Sequence, residues 1–502
     1  MVDWAVLVCP FLLPLSFLWD MLAFWRLRIS YWLQGTRALL LHRDKVAKVQ
    51  DQVRRWRQEG EGRRMCTARP SWMSISQQKL GYKEHMYRVD LGGLGDVLRI
   101  DTEAMEVTVE PYVTIGFLNR VLVPEGVTLA VVPELDALTI GGLLMGGGIE
   151  STSHKHGLFH RLATEVELVT AEGETLTVSE EHHADIFHAL PMSYGTLGFV
   201  VSAKLRLVRY LPFLRLEYRP TRSLEDSARL LEQEARGEGD SVEGIAFSRD
   251  TAVIMTGTFV EEADVEWDKV NSLGRWYKPW FYQHVETFLT SGPAVEYVPT
   301  LHFHQRHNKP TFWLTSLWLP WASGPLARLL TGWILPMNHH LLCLVKETFL
   351  QGELADNWVL QDFILPIHHL KEGIQLSHDS TAIYPLWMVP VTLEGEVDKS
   401  RGSTLFVDLG VYGVTELNEF NGRDATLRKF EKFTLEKGGF QALYAETLLE
   451  EEDFDRMFVE GQHYYKKARA SLPLCSEAFP EVYQKVSRVG RARVRAGKAK
   501  VA

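Results

Sequence analysis

Pro133-Glu134-Leu135-Asp136-Ala137-Leu138-Thr139-Ile140-Gly141-Gly142-Leu143-Leu144-Met145-Gly146-Gly147-Gly148-Ile149-Glu150-Ser151 carries five glycines in the eight positions 141–148. Without side chains in the way, backbone N–H groups there can approach a polyanion directly, as a pyrophosphate site requires. The spacing fails Gly-x-Gly-x-x-Gly and no Gly-Lys-Ser/Thr follows, which disfavours a Rossmann site and a P-loop. Upstream, 105–110 alternates with period two and stops at Pro111; a helix is predicted from 114 to about 123 and a strand at 128–132. Downstream, 165–170 and 175–179 form a hairpin, 184–190 a short helix, and Gly195-Thr196-Leu197-Gly198 leads into another strand. That order is α+β rather than a regular strand-helix alternation. A helix at about 44–59 precedes it, with Val46, Val49, Val53 and Trp56 at helical spacing, and 220–460 reads as a second, mixed domain.

At 502 residues the chain is long enough for roughly two to four domains, and its 46% hydrophobic content can build a sizeable core. Cys9, Cys66, Cys343 and Cys475 lie too far apart for a disulfide framework or a paired zinc motif, which points to a reducing compartment. His302, His304 and His307 are unevenly spaced for metal ligands, and no metal is expected. The net charge of −10 is asymmetric: 26–57 carries nine Lys/Arg against Asp44 and Asp51, and 482–502 carries seven Lys/Arg and no acid. An acidic body with basic ends is a poor nucleic-acid reader. Residues 4–25, broken only by Pro10, Pro14, Ser16 and Asp20, would span roughly 33 Å as a helix, enough for one membrane crossing. Arg26, Arg28, Arg37 and Arg43 would keep the following globule cytosolic by the positive-inside rule.

The Thr-Ile-Gly-Gly stretch, Ser153-His154-Lys155-His156-Gly157, the hairpin turn Ala171-Glu172-Gly173, Asp185-Ile186-Phe187 and Gly195-Thr196-Leu197-Gly198 follow an order and spacing that resemble the FAD-binding domain of the vanillyl-alcohol oxidase and p-cresol methylhydroxylase superfamily. The resemblance implies a two-subdomain, PCMH-type FAD domain over 34–210, with 139–151 around the cofactor pyrophosphate and Gly195 and Gly198 near the adenosine. Many relatives carry Arg-x-Gly-x-Gly-His before the glycine stretch, whose His can join the flavin covalently. This chain reads Arg69-Pro70-Ser71-Trp72-Met73-Ser74, which implies non-covalent FAD.

Tyr277-Lys278-Pro279-Trp280-Phe281, Glu296-Tyr297-Val298-Pro299, Tyr384-Pro385-Leu386-Trp387 and Asp408-Leu409-Gly410-Val411-Tyr412-Gly413 extend the similarity across nearly the whole chain, to the sterol-reducing branch of that superfamily. That branch implies an anchor at 4–25, a substrate (cap) domain at 220–460, a C-terminal segment at 461–483 returning to the FAD domain, and a basic tail at 484–502. It implies reduction of the delta-24 double bond of a sterol side chain by NADPH through FAD. The expected setting is the endoplasmic reticulum membrane, and possibly the Golgi, beside other sterol-biosynthesis enzymes.

An isolated alkene has no carbonyl to polarise, so the reaction needs an acid to protonate one carbon. Tyr412 is the favoured candidate because Gly410 and Gly413 flank it, followed by Asp408, Tyr384 and Glu150. Trp276, Trp280, Phe281, Trp313 and Trp318 could line a sterol channel, and His154 and His156 the flavin site. An oxidase of the same superfamily, or an inactive membrane scaffold, are the alternatives.

Overall fold

The computed structural model describes residues 37–70, 80–334, 357–393 and 404–499, except 416, 418 and 419, together with short stretches between 14 and 32. The expected anchor at 4–25 falls largely outside those residues. Among the described residues, no helix is long and apolar enough to cross a membrane.

The first sheet has five strands in the order Val97–Asp101, Glu106–Val109, Phe199–Arg206, Ala163–Val169, Thr175–Ser179, all antiparallel. Period-two alternation sends Val107, Val109, Val166, Leu168, Val201, Ala203 and Leu205 into one core. Helix Ala38–Glu59 covers that core with Val46, Val49, Val53 and Trp56. It begins six residues earlier than its apolar pattern suggests, because its first turns are held by a buried polar residue. His42 Nδ1 lies 2.8 Å from Glu110 Oε1 and its Nε2 3.4 Å from Glu167 Oε2, while Lys45 Nζ donates to Glu110 Oε2 at 2.8 Å.

Burial opposes charging His42, but the two carboxylates outweigh it and push the imidazolium up to about 9. The folded state therefore favours the protonated ring. Its contribution is complete below the unfolded pKa of about 6.5 and lost as pH rises through the folded value, on the order of 3 kcal/mol in all. The wild-type melting temperature should fall between about pH 6.5 and 9.5, and His42→Gln should flatten that slope. Parallel slopes for the two proteins would refute the assignment.

The second sheet has eight strands in the order Ala294–Pro299, Phe213–Thr221, Ala252–Val260, Ser241–Ala246, Leu386–Thr392, Leu405–Val414, Trp358–Pro366, Phe440–Gln441. On one face Val359, Phe363, Leu386, Val407, Leu409 and Val411 pack against helices Leu224–Ala235 and Leu370–Thr381. Alternation turns Glu243, Asp362, Asp408 and Tyr412 to the other face, with Trp387 and Val389. That face meets the glycine stretch: Val242 N donates to Ser151 O, and Ser241 Oγ to Ser151 Oγ.

The chain then returns to the first core. Phe454, Tyr465, Ala468, Phe479, Val482 and Val486 pack with the five-stranded sheet, and Phe479 meets Phe199 edge-on at 5.3 Å. Arg469 Nη1 donates to Thr196 O at 2.9 Å. The ends of three cap strands, at Ile364, Val391 and Phe406, join the same core.

Candidate active site

Residues expected to form a glycine loop instead include a short helix, Ile140–Gly146, with Thr139 at its N-cap. Interior glycines cost a helix about 1 kcal/mol each relative to alanine, so the pattern alone argued against one. Tertiary bonds override that cost: Ile140 N donates to Val113 O and Gly141 N to Pro111 O, both at 2.9 Å. A Cβ on Gly141 would come within 2.7 Å of Pro111 Cβ, so this glycine serves packing. At Gly142 a Cβ would meet only Thr139 Oγ1, at 3.1 Å, and the residue is exposed. Gly142 is the glycine that faces open space at the helix start.

Arg69 binds that start, Lys83 binds Arg69, and Lys485 neighbours Lys83 beside Gly195. Arg69 Nη1 donates to Thr139 Oγ1 at 3.1 Å, and Lys83 Nζ to Arg69 O at 2.8 Å. Lys485, from the basic tail, donates to Tyr194 O and would lie 3.9 Å from a Cβ on Gly195. Burial and the neighbouring Lys83 push the Lys485 ammonium down to about 8, and burial lowers Lys83 as well. Among the described residues, neither lysine has a carboxylate in ion-pair range; both bind backbone carbonyls, and Lys83 also reaches Thr67 Oγ1 at 3.4 Å. Partly buried ammonium groups held close together, with no carboxylate in range among the described residues, are a donor set that a diphosphate neutralises. The residues present therefore fit the FAD pyrophosphate. Gly195 lies beside this group, whereas Gly198 serves packing, since a Cβ there would meet Val169 O at 2.9 Å.

The C-terminal end of the same stretch meets the carboxyl-bearing cap face. Arg306 is fully buried between Glu150 Oε1, 2.5 Å from its Nη2, and Glu243, whose oxygens lie 2.7 and 3.0 Å from its Nε and Nη2. Trp387 Nε1 donates to Glu243 at 2.9 Å, and the Phe303 ring lies 4.0 Å from the guanidinium. Burial would raise Glu243, but Arg306 and His307 hold it well below the usual carboxylate range. Among the described residues Asp408 has no such partner, and its Oδ1 is buried without a hydrogen bond. Burial first, then the charges of Asp362 and Glu134, push its carboxyl well above the ordinary range, which favours its neutral form. Burial and Glu150 raise Glu134 in the same way. Tyr412 hydroxyl donates to Asp362 Oδ1, and burial together with that carboxylate raises its pKa. Burial likewise lifts Asp362 to about 6 against hydrogen bonds from Tyr412 and Tyr444.

Of the sequence candidates, Asp408, Tyr412 and Glu150 come together on this side of the cap sheet. Tyr384 does not: it packs with the opposite face, its hydroxyl 3.2 Å from His378 Nδ1. His154 Nδ1 and Nε2 lie 3.0 and 2.9 Å from Ser151 O and Gly239 O, so it ties the glycine stretch to the cap. His156 is exposed beside that contact. His302, His304 and His307 do not converge, and no cluster of three metal-ligating side chains occurs among the described residues. Trp313 and Phe281 are buried at the site, Trp280 lies in an adjoining cluster, Trp276 is exposed, and the side chain of Trp318 lies outside the description. Lys83, Lys485, Glu134, Glu243, Arg306 and Asp362 escaped the sequence reading. Glu243 and Asp362 left a usable signal, since each interrupts an apolar strand where a carboxylate is rarely buried without purpose.

Residues 44–179 match the FAD binding domain family. The chain is 38% identical over 492 residues to the Delta(24)-sterol reductase of Homo sapiens, covering 97% of this chain and 94% of that protein. The chain belongs to the Delta(24)-sterol reductase family. The Delta(24)-sterol reductase of Arabidopsis thaliana is 35% identical to it, over 90% of this chain and 85% of that one. L-gulonolactone oxidase of Bos taurus is similar at 31% identity over only 24% of this chain. Family membership thus extends through the cap, where Asp408 and Arg306 sit, while likeness to that oxidase is confined to part of the chain.

Proposed function

We propose that this chain reduces the delta-24 double bond of a sterol side chain, with NADPH as reductant and non-covalent FAD as carrier. Bound FAD supplies the hydride chemistry. Arg69, Lys83, Lys485 and the Gly142 turn hold the diphosphate, and Asp408 protonates the alkene carbon. The observation that carries this reading is a buried carboxyl, its Oδ1 without a hydrogen bond, on the cap face that meets the glycine stretch, in a chain of the sterol reductase family. Asp408 is preferred over Tyr412, whose hydroxyl is committed to Asp362 and raised in pKa. Apolar Trp313, Phe312 and Trp387 around Tyr412 keep water from the site. NADPH, the anchor at 4–25 and placement of the body on the cytosolic side of the endoplasmic reticulum rest on the resemblance and on the basic flank.

Purified protein given NADPH and desmosterol without oxygen should yield a sterol heavier by two hydrogens. Peroxide formation from an alcohol or lactone, with no sterol product, would favour the oxidase instead. Acid precipitation should leave yellow flavin in the supernatant, because neither His nor Cys occurs at 69–74. Flavin in the pellet would overturn the non-covalent assignment.

A further inference from the structure

A short helix in the cap is amphipathic the wrong way round. In Pro325–Thr331 and its continuation, Leu326, Leu329, Leu330 and Trp333 follow the i, i+3, i+4, i+7 stripe that normally faces a core, yet they are 70%, 57%, 61% and 52% exposed. Arg328, the only charged residue between 311 and 334, is buried instead, and its Nη1 donates to Gln283 Oε1 at 3.1 Å and to Ser323 O. Leu317 and Trp321 extend the exposed stripe. Inverted patterning of this kind suits an apolar surroundings outside the protein.

Two observations say what covers the stripe. Phe17 meets Trp333 edge-on with ring centroids 5.9 Å apart, which joins it to the N-terminal apolar run, where Leu18, Trp19, Leu22 and Trp25 are also exposed. The combined surface carries tryptophans, no carboxylate within 311–334, and the basic stretch that begins at Arg26, a composition matched to the headgroup boundary of an anionic bilayer. Behind the stripe, Leu319 and Ala322 pack on Trp280 and Tyr282; Tyr282 contacts Trp313, whose Nε1 donates to Tyr412 O at 2.7 Å.

We propose that this helix is a second membrane-contacting surface, lying in the bilayer interface beside the N-terminal run, and that sterol enters the site past it. The entry role rests on the proposed sterol reduction; the contact itself does not. In full-length protein with Cys9→Ser and Cys343→Ser, Leu330→Cys would be labelled with an environment-sensitive fluorophore. Arg229→Cys, whose parent side chain is 64% exposed on helix Leu224–Ala235, serves as reference. With phosphatidylcholine/phosphatidylserine vesicles, the label at 330 should shift to the blue and lose roughly two-fold in intensity to nitroxide-bearing acyl chains, while that at 229 changes little. A label at 330 indifferent to lipid would overturn the proposal. So would a shift without lipid accompanied by dimerisation in light scattering, which would mean that a second copy covers the stripe. Leu329→Ser/Leu330→Ser should slow reduction of vesicle-borne sterol several-fold and spare detergent-dispersed sterol; equal slowing of both would remove the entry role. A wild-type protein that reduces no sterol would sink the enzymatic reading, with the quenching result still deciding the surface.

Discussion

Asp408→Asn is expected to lower sterol turnover by about 10²–10⁴-fold, the range that a positioned general acid contributes. Asparagine keeps the shape of the protonated carboxyl and removes only its acidic proton. Flavin content should therefore stay near wild type and thermal stability at or above it, since Asp408 sits beside Asp362 and Glu134 with no cation in range among the described residues. Tyr412→Phe provides the contrast. It deletes a hydrogen bond to Asp362 that lowers that carboxyl, so its main effect should be an upward shift of whichever limb of the pH–rate profile Asp362 controls. Single-turnover oxidation of reduced flavin by sterol is the decisive measurement. An Asp408→Asn rate within about three-fold of wild type, with Tyr412→Phe crippled, would return the acid role to the tyrosine.

Gly142→Asp should abolish flavin retention in a protein that still folds. The new carboxylate would face the open side of the helix start, where a diphosphate is expected, and repulsion in a partly dry site amounts to several kcal/mol, roughly 10²-fold or more in affinity. The same carboxylate is favourable toward the helix N-terminus, so the apo protein should melt no lower than wild type. Gly141→Ala should do the reverse, lowering stability through the approach to Pro111 without adding charge near the ligand. Lys485→Gln should weaken flavin binding like Gly142→Asp, because it removes an ammonium that no carboxylate among the described residues pairs. Flavin titration of the apo proteins, with circular dichroism as the folding check, separates these effects. Unchanged flavin affinity in folded Gly142→Asp would remove the diphosphate from this end of the helix.

Local patterns carried the first domain well. Helix Ile115–Leu122 begins after Thr114, whose Oγ1 accepts from Phe117 N at 3.3 Å, and the hairpin Ala163–Val169/Thr175–Ser179 lies where alternation and a glycine turn place it. The misses share a cause, which is that their decisive contacts are remote in sequence. The strand expected at 128–132 shrinks to Val127–Thr128, because its only ladder partner among the described residues is Val208–Arg209. Helix Ala38–Glu59 is longer than its apolar stripe because Glu110, 68 residues on, holds His42. Lys485 reaches Tyr194 across 291 residues, and Arg306 reaches Glu150 across 156. Nothing near a lone lysine in a basic tail marks it as a ligand to an anion. Asp408 stands among the sequence candidates behind Tyr412, which its flanking glycines favour, and the structure shows that it interrupts an otherwise apolar strand, Leu405–Val414.

The return of 454–486 into the first core bears on how the molecule is made. The five-stranded sheet and its covering helix are synthesised before the cap, but the side chains that close their core, from Phe454 to Val486, emerge after it. Folding cannot then proceed domain by domain from the amino terminus, as vectorial synthesis usually permits. The early half must wait, part-open, through translation of the whole cap, and its closure depends on contacts of very high sequence separation, which form slowly. Cofactor capture belongs to the finished polypeptide, and a nonsense change late in the reading frame would spoil the part of the protein that was translated first.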